Sequence, residues 1–297
     1  MSTSVAAATH DRVARFPDAK VSQWRVIGAE WLKLRTLRST VITLAAACVV
    51  VVGFAAMAAG VVSGDITPET NGAGPAGQMP LLTIDPTSIA MAGTSLAMLI
   101  LGSLGVLFMS GEHSSGMIRT TMSAVPQRLP VLWAKTLVLV VVSAVLMTAS
   151  VFAAFFLSQA ILEGNGPTAA LSDPGVTRAL WGNVAYLVGV TLMGLALGSL
   201  LRSSAGGIAT LFAGLLVVPG LLGLVLPDSW GNAILPYLPD AAGQSFTLVD
   251  PSAGSGFGPG FGSGVDLLTP GAGALVFVVW VVGLIALAAT LLHRRDV

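Results

Sequence analysis

Residues 131–160 read VLWAKTLVLVVVSAVLMTASVFAAFFLSQA, and the only charge in the run is Lys135. A helix rises about 1.5 Å per residue, so ~20 apolar residues cross a hydrocarbon core about 30 Å thick. This run exceeds that length, which places its first turn in the membrane interface. Five more stretches qualify, giving spans at 41–62, 87–110, 131–160, 179–201, 205–226 and 272–292. The chain is 54% hydrophobic and 9% charged, against about 25% charged in soluble domains. So few charges cannot cover a soluble surface, so lipid must be the solvent for most of the chain. The expected fold class is an all-α membrane protein with six transmembrane helices.

Only Arg202-Ser203-Ser204 separates spans four and five, which implies a tight helical hairpin. Pro219-Gly220 is expected to kink or break span five. Span one follows a charged, amphipathic stretch, is long enough to cross, and lacks a convincing A-x-A-like cleavage site. It therefore reads as a retained helix, not a signal peptide.

Charge fixes orientation, because cytoplasmic loops are enriched in Lys and Arg. Seven basic residues precede span one, the last being Lys33, Arg35 and Arg38. Arg119 and Arg128 lie between spans two and three, Arg202 between four and five, and Arg294 and Arg295 after six. The alternate segments hold one basic residue, Arg178, and many acids, among them Asp65, Glu163, Asp228, Asp240 and Asp266. The alternation puts both termini in the cytoplasm.

Three regions follow: a disordered tail at 1–20, an amphipathic interface helix at 21–39, and a six-helix transmembrane domain at 40–297. The domain has a cytoplasmic loop at 111–130 and a large outer loop at 227–270. The outer loop's first half, Trp230 to Phe246, carries apolar residues and prolines, and is expected to meet the membrane interface as short helices. Its second half, Ala253 to Gly264, is a Gly/Phe/Ser tract that cannot build a core.

Several chemistries find no residues here. Net charge is zero, which gives no electrostatic case for nucleic acid. Ala134-Lys135-Thr136 lacks the glycines of a phosphate-cradling P-loop. Gly72, Gly74 and Gly77 match G-x-G-x-x-G without a preceding strand, which chance explains better. His10, His113 and His293 are scattered, so neither a metal site nor a catalytic site is expected. Cys48, the one cysteine, reads as a small buried hydrophobe. The spans hold no Asp, Glu or His, and Lys135 near an end can snorkel. Ion-coupled carriers keep ionisable groups at membrane depth. Any transport by this chain would then be powered by another subunit.

Two segments carry more information. In Val21–Ser39, Trp24, Ile27, Trp31 and Leu34 recur at three- and four-residue steps and form one helical stripe, with Arg25, Lys33, Arg35 and Arg38 around it. Such a helix lies on the membrane surface, tryptophans toward lipid and cations toward phosphate. It is either a plain anchor for span one or an interface helix that also touches a partner. The second segment is Gly111–Lys135, GEHSSGMIRTTMSAVPQRLPVLWAK, a polar loop between two long helices. On physics alone it is a solvated loop obeying the positive-inside rule, or a lever.

EWLKLRTLRST before span one, and GEHSSGMIRTT followed by VPQRLPVLWAK after span two, resemble the ABC-2 permease family of bacterial exporters. In that pattern an acid ends span two, a glycine follows four residues on, and Pro, Arg and Lys lead into span three. Here these are Glu112, Gly116, Pro126, Arg128 and Lys135, while Glu30, Lys33 and Arg35 match the part before span one. The six spans and the outer Tyr237-Leu238-Pro239 agree with the pattern. One departure is Gln127-Arg128, where the family often has an Arg pair.

The resemblance implies a permease subunit without enzymatic activity, exporting an amphiphilic cargo across the plasma membrane. ATP and Mg would be bound by a separate ABC ATPase subunit, and this chain would need no cofactor. A second permease chain, identical or not, would complete the pathway, with membrane lipid around it. The loop would act as the coupling element through Glu112, His113, Gly116, Met117, Arg119 and Arg128. Trp24, Glu30, Trp31, Lys33 and Arg35 would form the interface helix. Gly194 and Gly198 on span four, and Gly102 and Gly105 on span two, offer close helix packing within the chain or against another. The competing class is a polytopic scaffold or sensor without transport. An intramembrane enzyme would need paired catalytic groups, and the spans offer only Ser, Thr, Asn and Gln.

Overall fold

The computed structural model describes residues 23–64, 85–114, 128–164, 166–250 and 266–294. Among them every regular element is helical. Six helical segments are long and apolar enough to cross a membrane: Arg38–Ser63, Thr94–Gly111, Leu132–Leu162, Val176–Leu201, Ser204–Val225 and Pro270–Leu292. These lengths and compositions make the chain a multi-pass membrane protein.

The interface helix is α1 (Gln23–Thr36) and span one is α2 (Arg38–Ser63), with Leu37 as the corner between them. Span two comes in two pieces, α3 (Pro86–Ala90) and α4 (Thr94–Ser114). Asp85 caps α3 by accepting from the Ser88 amide at 3.0 Å, with Pro86 preset in the first turn. The break falls at Gly93, where a Cβ would strike the backbone of Val50 and Val51 on α2. A continuous helix from 87 was expected. Close approach of two backbones interrupts it instead.

Spans three and four are α5 (Arg128–Leu162) and α6 (Val176–Leu201). Span five comprises α7 (Ser204–Phe212), a π-turn at Ala213–Val217, and α8 (Val218–Val225). The expected disruption at Pro219 is present, and the π-turn explains its form. Pro219 cannot donate to the carbonyl four residues back, and the wider turn ahead of it absorbs the mismatch. In the hairpin, Arg202 takes a left-handed φ of 52°, and Ser203 Oγ caps α7 by accepting from the Gly206 amide. The segment between spans five and six forms α9 (Asp228–Ile234), a 3-10 turn (Leu235–Tyr237) and α10 (Pro239–Thr247), and span six is α11 (Pro270–Arg294). The expected short outer helices are thus present.

Helix α6 is the most buried of the spans and packs on α4, α5, α7, α10 and α11. Its seam with α4 is built from glycines. A Cβ on Gly194 would strike Gly102 O, one on Gly105 would strike Thr191 O, and one on Gly198 would stand 2.6 Å from Val106 O. Lipid gives two helices no hydrophobic reason to associate, so close backbone contact supplies the attraction. The glycines that could have faced a second chain are therefore spent inside this one.

Candidate functional site

Helix α1 turns one face to the protein. Val26, Glu30 and Leu34, four residues apart, are buried and pack toward α5, the main neighbour of α1. Trp24 is 81% exposed and Trp31 46%, while Ile27 packs only partly against the interior. The expected single stripe through Trp24, Ile27, Trp31 and Leu34 is therefore split. Helix α1 has two faces to satisfy, one against α5 and one toward its surroundings, and the tryptophans take the second.

At the centre of the buried face, Lys135 Nζ donates to Glu30 Oε2 at 2.7 Å, with the lysine side chain 0% and the glutamate 6% exposed. The ammonium also lies 4.7 Å from the centroid of the Phe108 ring on α4, a cation–π geometry. Lys135 therefore does not snorkel to a surface. A buried ammonium is costly unless paired, and the carboxylate that α1 carries inward removes the need to reach water. Lys33 sits one turn on from Glu30. Partial burial and the nearby Lys135 charge lower the pKa of its ammonium, and Glu30 opposes this. Three helices, α1, α4 and α5, are thus joined by Glu30, Lys135 and Phe108. Arg35 is exposed.

The expected coupling residues divide. Glu112 and His113 fall in the last turns of α4, and Arg128 opens α5. Their side chains, and all of Gly116, Met117 and Arg119, lie outside the described residues. So do the tail at 1–20, the glycines at 72–77 and the tract at 253–264.

A second polar cluster escaped the sequence reading, which counted Asp240 as an ordinary loop acid. Asp240 is 4% exposed. Tyr186 Oη donates to its Oδ1 at 2.9 Å, and Gln244 Nε2 donates to its Oδ2 at 2.7 Å. Burial pushes the Asp240 carboxyl above the usual carboxylate range, and the bonds from Tyr186 and Gln244 oppose it. The cluster fixes α10 against α6. Gly182 lets the Phe246 carbonyl approach α6, and Gly243 makes room for the Tyr186 ring. Arg178 donates to Leu248 O at 3.1 Å and Val249 O at 2.7 Å, just beyond the last turn of α10, where a cation meets the helix dipole favourably. Asn183 Nδ2 donates to Thr247 O at 3.1 Å. Arg178, the exception to the charge alternation, is thus a structural clamp. The available signal was Pro239-Asp240, a helix-starting pair inside an apolar stretch.

In comparisons with known proteins, no protein-family model matches the chain and no curated protein matches it.

Proposed function

We propose that this chain is the membrane-spanning subunit of an ABC-2-type exporter. It moves an amphiphilic cargo across the plasma membrane with ATP, bound with Mg and hydrolysed by a separate ATPase subunit. Both termini and the loop at 111–130 face the cytoplasm in this reading. The observation that carries it is the buried Glu30–Lys135 pair. Lys135 stands two turns into α5, the helix that leaves the loop. Glu30 stands in the middle of α1, and Phe108 lies near the end of α4, the helix that enters the loop. A displacement of the loop by a partner is therefore passed through one ion pair to α1 as well as to both flanking spans.

In the proposed cycle, the ATPase holds the loop through residues at 112–128. Closure of two ATPases on ATP moves the ends of α4 and α5. Helix α1 follows because separating Glu30 from Lys135 would strand a buried charge. The chain itself contributes no catalytic group. A second permease chain forms the other wall of the pathway.

The test is the double charge reversal Glu112→Lys with Arg119→Glu, made in the full chain. Co-purification with the ABC ATPase encoded beside the gene should fall at least tenfold, and ATP-dependent export with it. Undiminished co-purification and export, or the absence of such an ATPase gene, overturns the reading.

A further inference from the structure

At the corner between α1 and α2 lies a groove of about 280 Å³, backed by α5. Trp31, Leu34 and Arg35 line it from α1, Leu44 and Cys48 from α2, and Val142 from α5. Leu34, Leu44 and Val142 are buried and form its floor, whereas Trp31 and Arg35 are exposed at its rim. The lining surface is apolar throughout, so Arg35 contributes its methylene stem and keeps its guanidinium outside the lining. The corner exists because Glu30 is held on Lys135 while the chain turns at Leu37 to start span one.

We propose that this groove holds one acyl chain of an anionic phospholipid from the leaflet on which α1 lies, with the lipid phosphate on Arg35. The volume of about 280 Å³ falls just below the ~300–1,000 Å³ of ordinary small-molecule sites, so the groove takes part of one hydrocarbon chain. The exposed tryptophans put α1 at headgroup level. Charge selects the headgroup. From Gln23 to Ser39 the described chain carries Arg25, Lys33, Arg35 and Arg38 against the single acid Glu30, and Glu30 is already paired with Lys135. Arg35 is the charged residue that lines the groove, so the rim is positive there, which favours a headgroup with net negative charge over a zwitterion. The inference needs only a membrane-surface α1, so it stands or falls separately from export.

The full chain is reconstituted in lipid nanodiscs containing a trace of phosphatidylglycerol or phosphatidylcholine with a photoreactive diazirine in the acyl chain. Adducts are mapped by peptide mass spectrometry. The exposed face of α11, around Leu275, Val278 and Val282, reports ordinary lipid contact. In the wild-type chain, phosphatidylglycerol should label the groove peptides several-fold above the α11 face, and roughly fivefold above phosphatidylcholine. Arg35→Gln should remove the headgroup preference and Arg35→Lys should retain it. Ala45 of α2 also lines the groove, and Ala45→Trp, which fills it, should lower groove labelling and leave α11 labelling unchanged. A headgroup preference that survives Arg35→Gln overturns the placement of the phosphate. Equal labelling by the two lipids, or groove labelling no higher than that of α11, overturns the proposal.

Discussion

Two carboxylates define this molecule at the residue scale, and they behave differently because of what faces them. Glu30 meets an ammonium and a positive neighbourhood. Asp240 meets a phenol and an amide. Breaking a buried pair on one side costs about 3–5 kcal/mol, because it strands the other charge. Glu30→Gln should therefore lower the melting temperature of the purified chain sharply. The double change Glu30→Leu with Lys135→Met should recover most of the loss, since an apolar pair of similar volume strands nothing. Thermal unfolding of the wild type and the two variants checks this. A double variant no more stable than Glu30→Gln would show that the loss does not come from a stranded ammonium. For Asp240 the direction follows from its raised carboxyl. A group that is easier to protonate folded than unfolded adds most stability below the ordinary value of 3.8. That contribution is lost as pH rises through the higher folded value. The stability difference between wild type and Asp240→Asn should accordingly shift against the wild type as pH rises through that interval. A difference that does not change with pH would contradict the burial.

Among elements, the α4–α6 seam and the seating of α10 use the same device, glycine where a backbone atom needs the space. Gly194→Leu places a side chain against the Gly102 carbonyl. Overpacking of this kind costs about 1–3 kcal/mol, and here neither backbone can yield without moving a whole span. Gly283→Leu on α11, where nothing lies within 4 Å, should change stability by no more than ~0.5 kcal/mol. Detergent melting curves of the two variants distinguish a packed seam from a general intolerance of leucine. The existence of both helices was legible in the sequence, and so was the close-packing potential of Gly102, Gly105, Gly194 and Gly198. Which partner those glycines face was not, because the 3.6-residue repeat gives the face of a helix and never its neighbour. The same limit explains α1. Its periodicity was plain, yet Trp31 and Leu34 ended on different sides once α5 competed for one face.

For the molecule as a whole, six helices are long and apolar enough to cross a membrane, and six crossings in sequence would return the chain to its starting side. Single cysteines placed at positions 3 and 296, in a chain with Cys48→Ala, should react with a membrane-impermeant maleimide from the same side of sealed vesicles. A cysteine at 72, between spans one and two, should react from the other. Labelling of positions 3 and 296 from opposite sides would mean that one of the six apolar helices does not cross. Length, apolar runs and charge alternation determined the class of this protein and the order of its spans, because a bilayer demands ~20 apolar residues per crossing whatever the rest of the chain does. Only the tertiary structure decided that Lys135 meets Glu30 across 105 positions of sequence, that Asp240 lies under Tyr186, and that the α1–α2 corner opens a groove. Such pairings depend on which helix faces which, and in lipid that choice is made by close contact and by the cost of an unpaired buried charge.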